Sequence, residues 1–215
     1  PQAVLAAIVL TAVSGLIKPR AFMKLWKISR AEASTAVVTL VITVAAAPAL
    51  HWGVLSGMLM GLSYFLYQRL HPRIIEVGLH PDGSLRDRHL WHLEPIAPQV
   101  YALRMDAELD FASASDLLRT IAEHITHHPD HRHVCLFAHP INRIDATGVE
   151  AFSQLCKTVD SHGVTLHLSG LKLPVEQLLR RAGELTNPAQ PVMYRSDAEA
   201  LKSLRALAAL SVVQR

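Results

Sequence analysis

HVCLFAHPINRIDATGVEAFSQLCKTVDS, residues 133–161, decides how this chain is read. Its first six residues, His133 to Ala138, form a short apolar strand-like run. After Gly148 the apolar residues return at helical spacing, at Val149, Phe152, Leu155, Cys156 and Val159. That pattern spells strand, loop and helix, the helix having one face to bury. The loop ends Asp145-Ala146-Thr147-Gly148, where a helix start offers unpaired N–H groups and positive potential, so it could hold an anion. It could equally be a cap: Thr147 with Glu150 three residues on reads as a capping box.

Working outward from this unit, the chain alternates. Strands are expected at 100–105, 164–169 and, weakly, 192–194, with helices at 113–127, 175–182 and 198–210. Leu117, Leu118, Ile121 and Ile125 give the first of these helices its own apolar stripe. Short strands separated by helices predict one α/β domain over residues 99–213, large enough for its own core. Between residues 71 and 98, Pro81, Gly83, Pro95 and Pro98 suggest an irregular linker.

The first third is of another kind. Residues 35–67 hold no Asp, Glu, Lys or Arg. One straight helix of that length would be about 50 Å long, too long for a hydrocarbon core of roughly 30 Å, so the run must turn, and Pro48 with His51-Trp52-Gly53 marks the midpoint. With the apolar stretch from Pro1 to Ile17, this predicts three transmembrane helices within residues 1–70. Of the 21 Lys and Arg in the chain, seven lie in residues 1–73 against one acid, Glu32. Five of the seven fall between Lys18 and Arg30, and Arg69 and Arg73 follow the last expected span. Positive residues stay on the cytoplasmic side, so three spans would place residues 71–215 in the cytoplasm. Trp26, Trp52, Tyr64 and Tyr67 fall at interface depth. Gly53, Gly57 and Gly61, at spacing four, give the last span a smooth face for packing within the protomer or across a dimer seam. Because the positive excess sits beside apolar segments, it argues for a bilayer and against a nucleic-acid partner. The chain begins at Pro1 without Met, and we expect the C-terminal part of something longer.

Other constellations carry less. His124, His127, His128, His131, His133 and His139 lie within sixteen residues, and His124 and His128, one turn apart, could share a metal. Histidines also suit a helix C-terminus, and no Cys or Glu completes a site, so no metal and no cofactor is expected. Cys135 and Cys156 read as buried free thiols. No nucleophile elbow, phosphate loop or His-Glu-x-x-His is present, which argues against an enzyme. Lys172 and Arg180-Arg181 leave nucleotide binding near the strand ends open.

Two resemblances meet at the quoted stretch. Its loop and Gly-Val-Glu-Ala-Phe helix, with Gly163 to Gly170, resemble the STAS domain of sulfate transporters and anti-sigma factor antagonists. The apolar hairpin, with Gly53-Val54-Leu55-Ser56-Gly57 and Ser63 to Arg69, resembles the last spans of the sulfate permease (SulP) family, and Leu109 to Ala114 is similar to that family's segment after its first STAS strand. The resemblance implies a membrane all-α segment followed by an α/β STAS-like domain with a central mixed sheet flanked by helices. It implies a secondary-active inorganic anion transporter of the sulfate, bicarbonate or dicarboxylate type, in a bacterial inner membrane. Its partners would be the lipid bilayer, further N-terminal helices of the transporter, a second copy in a homodimer, and a cytosolic protein or nucleotide at the STAS domain. No residue here would touch the transported anion. Asp145, Thr147 and Gly148 would form the regulatory docking loop. The rival expectation is a membrane-tethered module of anti-sigma-antagonist type without transport. In those antagonists the residue after Asp is the phosphorylated Ser, and here it is Ala146.

Overall fold

The computed structural model describes residues 2–14, 18–185 and 190–213. Residues 15–17, the end of the first expected span, lie outside them. The chain divides into two units, Pro1–Gln68 and Arg69–Arg215.

The first unit is helical: α1 (Gln2–Ser14), α2 (Pro19–Ile28), α3 (Arg30–Ala45) and α4 (His51–Leu70, whose last two residues fall in the second unit). The turn between α3 and α4 spans the expected break at Pro48. No helix among the described residues is long and apolar enough to cross a membrane. At 1.5 Å per residue, α1 and α3 reach only about 20 and 24 Å, and the longer α4 carries His51, Gln68 and Arg69 near its ends. The basic stretch expected to be a loop between spans is instead α2, begun by Pro19 in its first turn, where the missing N–H costs nothing. On α3 the hydroxyls of Thr35, Thr39 and Thr43 each donate to the carbonyl four residues earlier, at 2.7 to 3.0 Å, so they need no outside partner. α4 meets the same face. A Cβ on Gly53 would collide with the side chain of Thr43, and one on Gly57 with that of Thr39, whereas one on Gly61 would meet nothing within 4 Å.

The second unit is a six-stranded mixed sheet of order β2-β1-β3-β4-β5-β6. Its strands are β1 (Ile74–Leu79), β2 (Leu85–Asp87), β3 (Val100–Met105), β4 (His133–Phe137), β5 (Thr165–Ser169) and β6 (Val192–Tyr194). The last four run parallel, and β1 pairs antiparallel with both β2 and β3. The linker expected to be irregular therefore holds a hairpin. Its turn, Pro81-Asp82-Gly83, is tied by Asp82 Oδ1, which accepts from the Ser84 N–H at 2.8 Å, and Gly83 takes a positive φ of 83°.

The parallel strands are linked by α5 (Ala114–His127), α6 (Ala146–Ser161) and α7 (Leu173–Arg181), and α8 (Asp197–Val213) follows β6. Alternation along the strands sorts the core into two layers. Leu103, Met105, Leu136 and Leu168 pack with Leu117 and Ile121 of α5, Phe152 and Leu155 of α6, and Leu179 of α7. Val77, Ala102, Cys135 and Phe137 point the other way, toward Ala200 and Leu204 of α8.

Candidate functional site

Past β4 the chain crosses to α6 through Pro140 to Asp145, and here Ile144 forms a parallel bridge with Leu109. The Leu109 N–H donates to the Arg143 carbonyl at 3.1 Å, and the Asp145 N–H to the Leu109 carbonyl at 3.3 Å. This closeness explains Gly148: a Cβ there would strike the Leu109 carbonyl oxygen. The cap of α6 is Asp145, not the Thr147 capping box. Asp145 Oδ1 accepts from the Gly148 N–H at 2.8 Å, and Oδ2 from the Phe111 N–H at 3.1 Å, so one carboxylate ties two loops. Helix formation begins two residues earlier than the box requires, leaving Thr147 and Glu150 exposed on α6. The α6 N-terminus thus already holds an anion, the protein's own, which weighs against a bound one.

A charged cluster adjoins it that the sequence alone does not reveal. Arg69 bonds Glu108 at 2.8 Å and Asp110 at 2.9 Å, and Arg143 bonds the same Glu108 oxygen at 3.0 Å. Asp110 is buried, and its other oxygen accepts from the Ala112 and Ser113 N–H groups. These partners lie about forty residues apart, so no local pattern announces them. Phe111, beside the loop, is 66% exposed, a large apolar side chain at the rim of a polar rosette. The outcome is a corner cross-tied by hydrogen bonds and ion pairs, with one exposed aromatic ring beside it. Of the cations noted for nucleotide, Lys172 is engaged with Asn142 and Arg180 with Glu176 at 2.7 Å.

At the opposite ends of the strands a cavity of about 690 Å³ is lined by Glu76, Arg88, Tyr101, His124, His128 and His131 among others. His124 stacks on Tyr101 with centroids 3.4 Å apart, and its Nε2 lies 2.9 Å from His131 Nδ1. That contact requires one ring to donate and the other to accept. Burial and the neighbouring histidines push His124 down to about 4, and burial lowers His131. Among the described residues no group of three or more His, Cys, Asp or Glu could hold a metal ion. On the α8 side, His133 Nδ1 is 3.1 Å from His167 Nε2, and His167 Nδ1 is 3.1 Å from the Tyr194 hydroxyl, itself 2.9 Å from Ser203 Oγ. Burial, with His133 beside it, pushes His167 down to about 4. Burial pushes the Cys135 and Cys156 thiols up to about 12.

Residues 95–200 match the family model described as STAS domain. The chain is 29% identical over 198 residues to the probable sulfate transporter 4.2 of Arabidopsis thaliana, covering 85% of this chain and 28% of that protein. It is 27% identical to the probable sulfate transporter 3.3 of the same plant, covering 95% and 34%. The chain thus spans about a third or less of the length of these relatives. The murine anion transporter Slc26a9, in its inward-facing state, shares the fold with a TM-score of 0.76 at 18% identity, over 96% of this chain and 34% of that one. Residues 95–200, which match that model, hold the parallel strands β3 to β6 and their helices, and with β1 and β2 they complete a STAS-like α/β fold with a mixed central sheet.

Proposed function

We propose that the chain is part of a membrane anion transporter of the sulfate permease type, residues 1–70 contributing helices that pack among others in the bilayer and the STAS domain serving assembly and regulation on the cytoplasmic side. One observation carries this reading. The similarity to sulfate transporters covers 85% to 95% of the chain, whereas the STAS segment is residues 95–200, so the likeness must continue well into the helical unit. The outward sides of α3 and α4 support it: Val41, Val44, Val54, Met58 and Phe65 are all more than half exposed, which suits lipid or neighbouring apolar helices. As part of a larger bundle, helices shorter than a bilayer need not span it alone. The transported anion would bind elsewhere in the protein.

In this reading the corner formed by Asp145, Thr147, Gly148 and Phe111 docks a regulatory partner, and the Gly53 and Gly57 face seats α4 on α3. Gly61, open among the described residues, is where a second copy or another helix would approach. The tethered, anti-sigma-like alternative gains nothing from position 146, where Ala offers no hydroxyl to phosphorylate. Uptake of radiolabelled sulfate into vesicles holding the full-length transporter tests the proposal. Asp145→Arg should insert normally yet transport at least several-fold more slowly. Unchanged uptake in that variant would remove the loop from regulation, and no uptake of any inorganic anion by the unaltered protein would remove transport.

A further inference from the structure

The ten residues of α2 divide sharply by side. With 3.6 residues per turn, Arg20, Lys24 and Lys27 fall within about 60° of one another, while Phe22, Leu25 and Trp26 occupy the opposite side. No residue of this helix is buried; Phe22 and Trp26 are 40% and 53% exposed. Lys18 and Arg30 flank it, and the one acid in the sequence of residues 1–73 is Glu32, in the first turn of α3. Ser29, in extended conformation, separates the two helices: its N–H closes α2 on the Leu25 carbonyl at 2.8 Å, and its hydroxyl accepts from the Glu32 N–H at 3.3 Å.

An acidic protein surface would satisfy the cations and leave the indole and phenyl rings wet. A wholly apolar neighbour would do the reverse. A phospholipid headgroup layer meets both, taking the rings at the acyl boundary while the basic chains reach up to phosphate. We propose that α2 lies flat in the headgroup layer and binds anionic phospholipid, so that bilayer charge is itself a ligand of this protein. Each Lys or Arg near an anionic surface is worth about a fivefold preference, so the three on α2 should together give on the order of a hundredfold.

Trp26, Trp52 and Trp91 are the three tryptophans of the chain, so Trp52→Phe with Trp91→Phe leaves Trp26 as sole reporter. The 215-residue chain in this background is purified in non-ionic detergent micelles and titrated with brominated phosphatidylglycerol or brominated phosphatidylcholine, reading quenching of Trp26. The expected result is a quenching midpoint at least tenfold lower for the anionic lipid, abolished by 0.5 M salt as about 3 to 5 Å screening lengths are approached. Arg20→Gln, Lys24→Gln and Lys27→Gln combined should bring that midpoint to the phosphatidylcholine value with helicity unchanged by circular dichroism. Arg180→Gln with Arg181→Gln, in the other unit, should leave the preference intact. Equal midpoints for the two lipids, a preference that survives the triple substitution, or a Trp26 that neither lipid quenches because protein covers it, would each overturn the proposal. The readout is lipid contact alone, so it stands or falls separately from sulfate uptake.

Discussion

Asp145 and Gly148 show how little of a loop's purpose lies in its own few residues. The Asp-Ala-Thr-Gly sequence reads as strand-to-helix punctuation, and the strand and helix stand where that reading puts them. Which residue caps the helix did not follow, because both Asp145 and Thr147 are good caps and the choice is made by Phe111 and Leu109, about 35 residues away. Asp145→Ala should destabilise the second unit by about 2 kcal/mol, one cap and one further hydrogen bond, while Asp145→Asn, which keeps one acceptor oxygen, should lose about half of that. Gly148→Ala forces a methyl group against the Leu109 carbonyl and should cost about 2 kcal/mol by overpacking. Urea unfolding of residues 69–215 measures all three, and a Gly148→Ala midpoint equal to the unaltered protein would show that the two loops separate freely.

At the scale of elements, periodic segments were legible and edge segments were not. α5, α6 and β3 to β6 fall within a residue or two of their sequence assignment, since each carries an apolar face at a recognisable period. β1 and β2 fall in the expected linker because their pairing depends on β3, and because Pro81 and Gly83, which turn the hairpin, are also signals of irregular chain. α2 is hidden in the sequence because its cations interrupt the apolar residues between them. Glycines on α4 now separate by position. Gly57→Leu should push α4 off Thr39 and lower the helicity or protease resistance of the chain in micelles, whereas Gly61→Leu should leave both unchanged within this chain. Equal behaviour of the two variants would mean that the α3–α4 contact is not what requires Gly57.

For the whole molecule, the division at Gln68 leads us to expect that residues 69–215 fold cooperatively on their own. Their stability should depend on pH in a stated direction. His124 and His167 are held at about 4 in the folded state against roughly 6.5 when unfolded, so the unfolded chain takes up protons first. Stability is therefore complete above about pH 6.5 and falls as pH drops toward 4, before protonation of Asp82, lowered by the Ser84 hydroxyl and N–H, and of Asp87, lowered by the Leu90 N–H and Arg73. His167→Gln should flatten that decline in urea midpoints measured from pH 7.5 to 4.5. An equally steep slope would mean that the His133–His167 pair opens to water on protonation.

Helix α8 follows all six strands, yet among the described residues of the second unit it is the helix that shields Val77, Ala102, Cys135 and Phe137. Every earlier strand and crossover must therefore wait, during synthesis, with one oily flank uncovered. A chain stopped before Asp197 would keep six strands in register and still look unfinished to the cell's chaperones and proteases. Premature termination just upstream of that helix should consequently erase the protein from the cell rather than leave a shortened form, although most of the lobe would have been made.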